Sequence, residues 1–260
     1  MTVQVELEIA DGVAIIRLND PATLNALSSP IVDALHDAFR RAAAQARAVL
    51  LCGAGRAFCS GWNLSGTVPD ETGVPFDAGL VLERQINPLM QSLRNLPIPF
   101  VAAVQGAAAG AGASLALAAD LIVAGESAYF LQAFRRIGLV PDAGATWLLT
   151  RSVGRVRAME LMLLGDRLPA PKALEWGLIN RCVADTALQD TARSMARDLA
   201  AGPTRALGMI RRAAWAAAER DFAAALETER LLQAEAGRTE DFAEGVRAFF
   251  EKRQANFTGK

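Results

Sequence analysis

The chain has 260 residues, 52% of them hydrophobic and 21% charged, enough for one large domain or a domain with an appendage. Lys and Arg number 27 against 28 Asp and Glu, a formal net charge of −1. That balance argues against a protein built around nucleic acid. In chain order, "VQVELEI" and "VAIIRL" predict two strands joined at Asp11-Gly12, a hairpin signal. "SSPIVDALHDAFRRAAA" predicts a helix with Ser29 as N-cap and Pro30 at its first position. Ile31, Leu35, Ala38 and Phe39 form its apolar face. "AVLLC" at 48–52 is a continuous apolar strand, followed by the Gly-rich loop "GAGRAFCSGWNLSG". Residues 66–79 predict a loose loop, and "LVLERQINPLMQSLRNL" a helix. "PFVAAVQ" predicts a buried strand, "GAAAGAG" a loop, "ASLALAA" a helix and "DLIVAG" a strand. This alternation predicts an α/β fold with a parallel sheet. After about residue 143 the pattern is helical, interrupted by a short strand near "NRCVA".

The N-terminus "MTVQVELEIADG" lacks the basic-then-apolar pattern of a signal peptide. The long apolar stretch "FVAAVQGAAAGAGASLALAADLIVAG" carries Gln105, Ser114 and Asp120 and is broken by glycines, so no membrane span is expected. Cys52, Cys59 and Cys182 have no metal-ligand spacing, and His36 is the single histidine. A reduced, cytoplasmic protein without a metal site is the expectation.

Two Gly-rich loops each follow a buried strand, where glycine lets backbone approach a ligand closely. A helix starting near Ala111 leaves its first N–H groups unpaired, a natural seat for developing negative charge. A dinucleotide fingerprint fails because Leu115 stands where its third glycine belongs, and no Gly-Lys-Ser/Thr triplet exists for a P-loop. Ser114 lacks the context of a hydrolase nucleophile. Asp142, in "GLVPDAGATWLLTR", has two readings. It could cap the helix that follows. Alternatively, Leu139, Val140, Pro141 and Ala143 would desolvate it and raise its pKa toward that of a useful base.

"GAGRAFCSGWNL", "VAAVQGAAAGAGASLALAADLIVAG", "FRRIGLVPDAGATWLLTRSVGRVRAMELMLLGDRL" and "EGVRAFFEKRQANFTGK" come in the order and spacing of the enoyl-CoA hydratase/isomerase (crotonase) superfamily, which the whole chain resembles. The resemblance implies a spiral of repeated β-β-α units over residues 1–200 and a helical C-terminal trimerisation region over 201–260. It implies an acyl-CoA thioester as substrate, coenzyme A being part of that substrate rather than a cofactor, and a homotrimer or hexamer as assembly. It implies two backbone N–H donors for the thioester oxygen, at Trp62 and Ala111. Such preorganised donors supply roughly 3–4 kcal/mol each. Around them Ala57, Phe58, Ser60, Gly61, Gly110 and Phe134 fall in the substrate-binding motifs. Arg56 stands where the family often has a basic residue near the CoA phosphates, and Lys252 where a neighbouring subunit's CoA could be reached.

The two glutamates of the family's hydratases fall on Ser114 and Phe134, neither of which can act as a base. "GLVPDAGATWLL" resembles the isomerase branch, in which an Asp at this place carries the proton. The resulting reading is an isomerase that shifts a double bond or rearranges a ring epoxide, with Asp142 as proton carrier. A hydratase of atypical site and a non-catalytic CoA-thioester-binding protein are the alternatives. Glu83 is a candidate second acid over the acyl pocket.

Overall fold

The computed structural model describes residues 4–65 and 77–260. Most of the loop expected over 66–79 lies outside the described residues. β1 (Val5–Ala10) and β2 (Val13–Leu18) form the expected hairpin. Asp11 (φ 52°) and Gly12 (φ 74°) both take the left-handed conformation that a two-residue turn matched to strand twist demands. Next come α1 (Ser29–Gln45), β3 (Ala48–Gly53), α2 (Ala78–Val81), α3 (Asn87–Arg94), β4 (Phe100–Val104), β5 (Ala107–Ala109), α4 (Ala111–Leu117) and β6 (Leu121–Gly125). They are followed by β7 (Tyr129–Leu131), α5 (Ala145–Ser152), α6 (Gly154–Leu164), β8 (Arg167–Pro169), α7 (Ala170–Glu175) and β9 (Arg181–Val183). The chain closes with α8 (Leu188–Ala201), α9 (Thr204–Ala217), α10 (Phe222–Ala236) and α11 (Glu240–Glu251).

Among the described residues the strands make two sheets, one in the order β1-β2-β3-β4-β6-β9 and one in the order β5-β7-β8. From β2 to β9 the large sheet is parallel throughout. Alternate side chains divide between two cores. Ile16, Val49, Leu51, Ala102 and Val104 face α1 and the start of α4, packing with Leu35, Phe39 and Leu115. Ile15, Leu50, Cys52, Val101 and Ala103 face α8, packing with Leu188, Ala192 and Ala196. Burial on both faces is why β3 and β4 read as unbroken apolar runs.

The structure corrects several sequence expectations. Ser28, not Ser29, is the N-cap of α1, and its side chain makes no capping bond. "GAAAGAG" contains a strand, β5, which pairs with the equally unexpected β7. β8 is likewise unexpected, and each of these strands is three residues long. The helix predicted from Leu80 starts at Ala78, capped by the Asp77 carboxylate accepting from Leu80 N at 3.0 Å. That helix is not regular, because Leu82–Ile86 form a π turn between α2 and α3. Pro88 supplies the reason: it has no N–H for the carbonyl four residues earlier, and its ring crowds that carbonyl.

α9 is anchored to the core by Arg211, whose buried guanidinium pairs with Asp120 (Nε to Oδ2, 2.6 Å) and donates to the carbonyls of Leu93 and Leu96 at the end of α3. Asp120 also accepts from Phe100 N, tying α9 to the first residue of β4.

Candidate active site

The site is built where the two Gly-rich loops meet. Cys59 N donates to Ala107 O at 3.0 Å and Ala109 N to Cys59 O at 2.9 Å, so the first loop is laid along β5. Gly112 permits this contact at the start of α4: a Cβ there would lie 2.5 Å from Cys59 O. Gly61 is required for a second reason. Its φ is 99°, and a Cβ would sit 2.8 Å from Ala109 O.

Leu27 brackets the next residue, its N–H donating to Gly61 O and its carbonyl accepting from Asn63 N. Strand alternation then turns the N–H of Trp62 to the opposite side. Ala111 is the first residue of α4, so its N–H has no partner within the helix. Both residues line one cavity of about 270 Å³, together with Ser60, Gly61, Gly110, Phe134 and Asp142.

Asp142 does not cap α5. The N-cap there is Gly144, with no side-chain bond, and Asp142 contributes only its main-chain carbonyl, accepting from Ala145 N at 2.9 Å. Its Oδ1 is buried and has no hydrogen-bond partner among the described residues. Burial, with nothing to offset it, pushes the carboxyl from its ordinary 3.8 up to about 6. An apolar wall causes this: Leu64, Val81, Leu82, Ile86, Ile137 and Leu139 also line the cavity. Among the described residues Arg136 is the other charged side chain of the lining. Its guanidinium is turned to the carbonyl of Gly165 at 2.6 Å, the residue that ends α6.

The remaining candidates lie elsewhere. Arg56 is exposed, and Ala57 and Phe58 are buried beneath the loop, outside the cavity lining. Lys252 is exposed at the C-terminus of α11. Glu83 is exposed in the π turn, while its neighbours Val81, Leu82 and Ile86 reach the cavity. Cys59 is a packing residue, its thiol pushed up to about 12 by complete burial. Among the described residues no group of three or more His, Cys, Asp and Glu side chains is placed to hold a metal ion. Among the described residues no helix is long and apolar enough to cross a membrane.

Sequence reasoning missed two supports of the first loop. Asn25 is 0% exposed, and its Nδ2 donates to the carbonyls of Ala54, Ala57 and Phe58, while its Oδ1 accepts from Asp20 N. Gln105 Nε2 donates to Gly53 O at 2.6 Å. The signal was an amide side chain within otherwise apolar runs, since buried polar groups demand partners.

Among the described residues one carboxyl, that of Asp142, lines this largely apolar cavity of an α/β fold together with Trp62 and Ala111. The family model of enoyl-CoA hydratase/isomerase matches residues 8–260, and the chain belongs to this, the crotonase, superfamily. The chain is 45% identical to 1,2-epoxyphenylacetyl-CoA isomerase of Escherichia coli, with 97% of each chain covered. It is 44% identical to a Rhodobacter capsulatus protein named "Probable enoyl-CoA hydratase", with 98% of each covered. The crystal structure of enoyl-CoA hydratase from Bacillus anthracis superposes with a TM-score of 0.91 at 30% identity, over 99% of this chain and 100% of that one. The fold is therefore the crotonase fold with its helical C-terminal region.

Proposed function

We propose that this member of the family is an acyl-CoA isomerase in which Asp142 alone carries the proton. The observation that carries the reading is the desolvated carboxylate of Asp142, its buried Oδ1 without a partner among the described residues, on the cavity that Trp62 and Ala111 also line. With a pKa of about 6 it is ionised at neutral pH, yet its conjugate acid is strong enough to give the proton back.

The steps balance without any co-reactant. The carboxylate takes the α-proton of a 3-enoyl thioester, and the C–H electron pair moves into an enolate conjugated with the double bond. Negative charge collects on the thioester oxygen, where the N–H groups of Trp62 and Ala111 stabilise it. Asp142 returns its proton to C4, leaving the double bond between C2 and C3. A ring epoxide attached at the α-carbon is the other substrate class, supported by the likeness to the Escherichia coli isomerase, and it would place the reaction in phenylacetate breakdown. Trp62 and Phe134 offer aromatic walls for such a ring.

Hydration is the second reading, favoured by the name of the Rhodobacter capsulatus relative. Against it stand Ser114 and Phe134 at the positions of the hydratase glutamates. The test is a panel of 3-hexenoyl-CoA, the aromatic ring epoxide and crotonyl-CoA, run on the wild type and Asp142→Asn. Isomerisation abolished by D142N supports the proposal. Isomerisation retained in full by D142N, or turnover of crotonyl-CoA alone, overturns it.

The assembly we propose is a homotrimer or a hexamer. Phe222 (78% exposed), Phe249 (78%) and Phe250 (77%) give the C-terminal helices an apolar surface that a second copy would cover. Sedimentation showing only monomer at micromolar concentration would refute it.

A further inference from the structure

We propose that Ser114 is a positioning residue: its hydroxyl fastens the main chain of Asp142 to the helix that begins at Ala111. The inference rests on the proposed role of Asp142 as proton carrier.

Ser114 is 0% exposed and sits one turn into α4. Its Oγ lies 3.1 Å from the carbonyl oxygen of Asp142 and 3.4 Å from that of Gly110. A hydroxyl has one hydrogen to give. The Gly110 contact is the ordinary back-bond of a helical serine to the carbonyl four residues earlier. That carbonyl already accepts from Ala113 N and Ser114 N. The Asp142 contact is different in kind, because it spans 28 positions and joins two elements.

The segment it holds needs holding. The carboxylate itself has no fixing bond at Oδ1. The next residue, Ala143, has φ 51°, a left-handed conformation disfavoured for any residue with a Cβ. Such a conformation persists only where neighbours over-determine it. The Ser114 bond is a direct tie from the helix carrying the Ala111 donor to the residue carrying the base. It therefore sets the distance between the oxyanion donor and the carboxylate, which is what an enolate mechanism needs fixed. Among the described residues the other charged side chain lining the cavity is Arg136, and most of the remaining lining is apolar.

A serine that merely satisfied a buried carbonyl would affect stability alone. The experiment separates the two roles. Ser114→Ala, Ser114→Cys, Ser114→Thr and Asp142→Asn are incubated with 3-hexenoyl-CoA between pH 5 and 9. Appearance of 2-hexenoyl-CoA is followed by NMR, and melting temperatures are measured alongside. In S114A turnover at saturation is expected to fall roughly ten- to a hundredfold with KM unchanged, because misplacement by an ångström costs that much. Its acid limb moves to lower pH, because the loosened carboxylate meets water. S114T restores the hydroxyl and with it the rate. S114C, near in size with a weaker donor, gives the same reading should the alanine variant not fold. Wild-type turnover and an unmoved acid limb in S114A or S114C, whatever the melting temperature, overturn the proposal while D142N remains inactive. Turnover undiminished in D142N, or absent in the wild type, instead overturns the proton-carrier reading beneath it.

Discussion

Asp142→Asn is expected to stabilise the protein while removing its activity. The neutral amide mimics the protonated acid, so the variant escapes the cost of keeping a charge in an apolar cavity. The rise from 3.8 to about 6 corresponds to roughly 3 kcal/mol at about 1.4 kcal/mol per pH unit. Asp142 is half-buried, and water reaching it reduces that to about 1–2 kcal/mol. The sign follows from linkage. The folded protein holds the proton more tightly than the unfolded chain. Its advantage is whole below pH 4, is lost as pH rises toward 6, and stays lost above. Melting curves of wild type and D142N at pH 8 and pH 5 test this. At pH 8 the variant should melt about 2–6 °C higher, and the gap should narrow by about half at pH 5. An equal or lower melting temperature at pH 8, or a gap independent of pH, would refute the claim that desolvation sets this carboxyl's pKa.

Three further outcomes follow from the same geometry. The pH profile of kcat/KM should show an acid limb near pH 6, where Asp142 loses its charge; a limb near pH 4 would mean that a solvated carboxylate does the work. Gly61→Ala should lower kcat severely, because its Cβ would press on Ala109 O at 2.8 Å with φ at 99° and push the Trp62 donor aside; unchanged kinetics would show that this loop is not the oxyanion site. Asn25→Ala removes the Nδ2 donor of three carbonyls, two of these bonds buried, and a loss of about 2 kcal/mol or more is expected by urea unfolding, whereas a loss under about 0.5 kcal/mol would place it among ordinary surface changes.

The strands of the large sheet were legible because burial on both faces leaves a run such as "AVLLC" no polar alternative. β5, β7 and β8 were not, since three residues carry no periodicity. The π turn at Leu82–Ile86 was hidden for another reason: Pro88 announces a fault in the helix but not which way the turn yields. For the site, the motifs brought Ser60, Gly61, Trp62, Gly110, Ala111, Phe134 and Asp142 together as candidates, and all line one cavity. The partners of Asn25 and Ser114 were not legible, because these bonds join chain positions 28 or more apart through a single polar atom. The two readings of Asp142 could not be separated from sequence, since a cap and a base want the same residue before the same helix. The structure removes the cap, since Gly144 is the N-cap of α5 and no side chain bonds there.

The same positions explain why a one-carboxylate site suits a proton shuttle better than a hydration. Hydration needs a water held, deprotonated and added, with a second proton delivered, tasks for two carboxyl groups. By the family resemblance the place of one such group falls on Ser114, whose hydroxyl lies 3.1 Å from the Asp142 carbonyl oxygen. By the resemblance the other falls on Phe134, whose ring lies beside Gly110 and itself carries no polar atom. Removing those charges has an electrostatic consequence. Among the described residues no second carboxylate lines the cavity, and burial alone is the cause of the raised Asp142 pKa. A base near pH 6 is both ionised at neutral pH and acidic enough when protonated, so it can take and return one proton on the same face of an enolate. Restoring a carboxylate by Ser114→Glu should therefore break the tether and raise the Asp142 pKa together. The acid limb would move upward, opposite to the shift expected of Ser114→Ala, and a downward shift in both variants would show that loss of the tether outweighs the added charge.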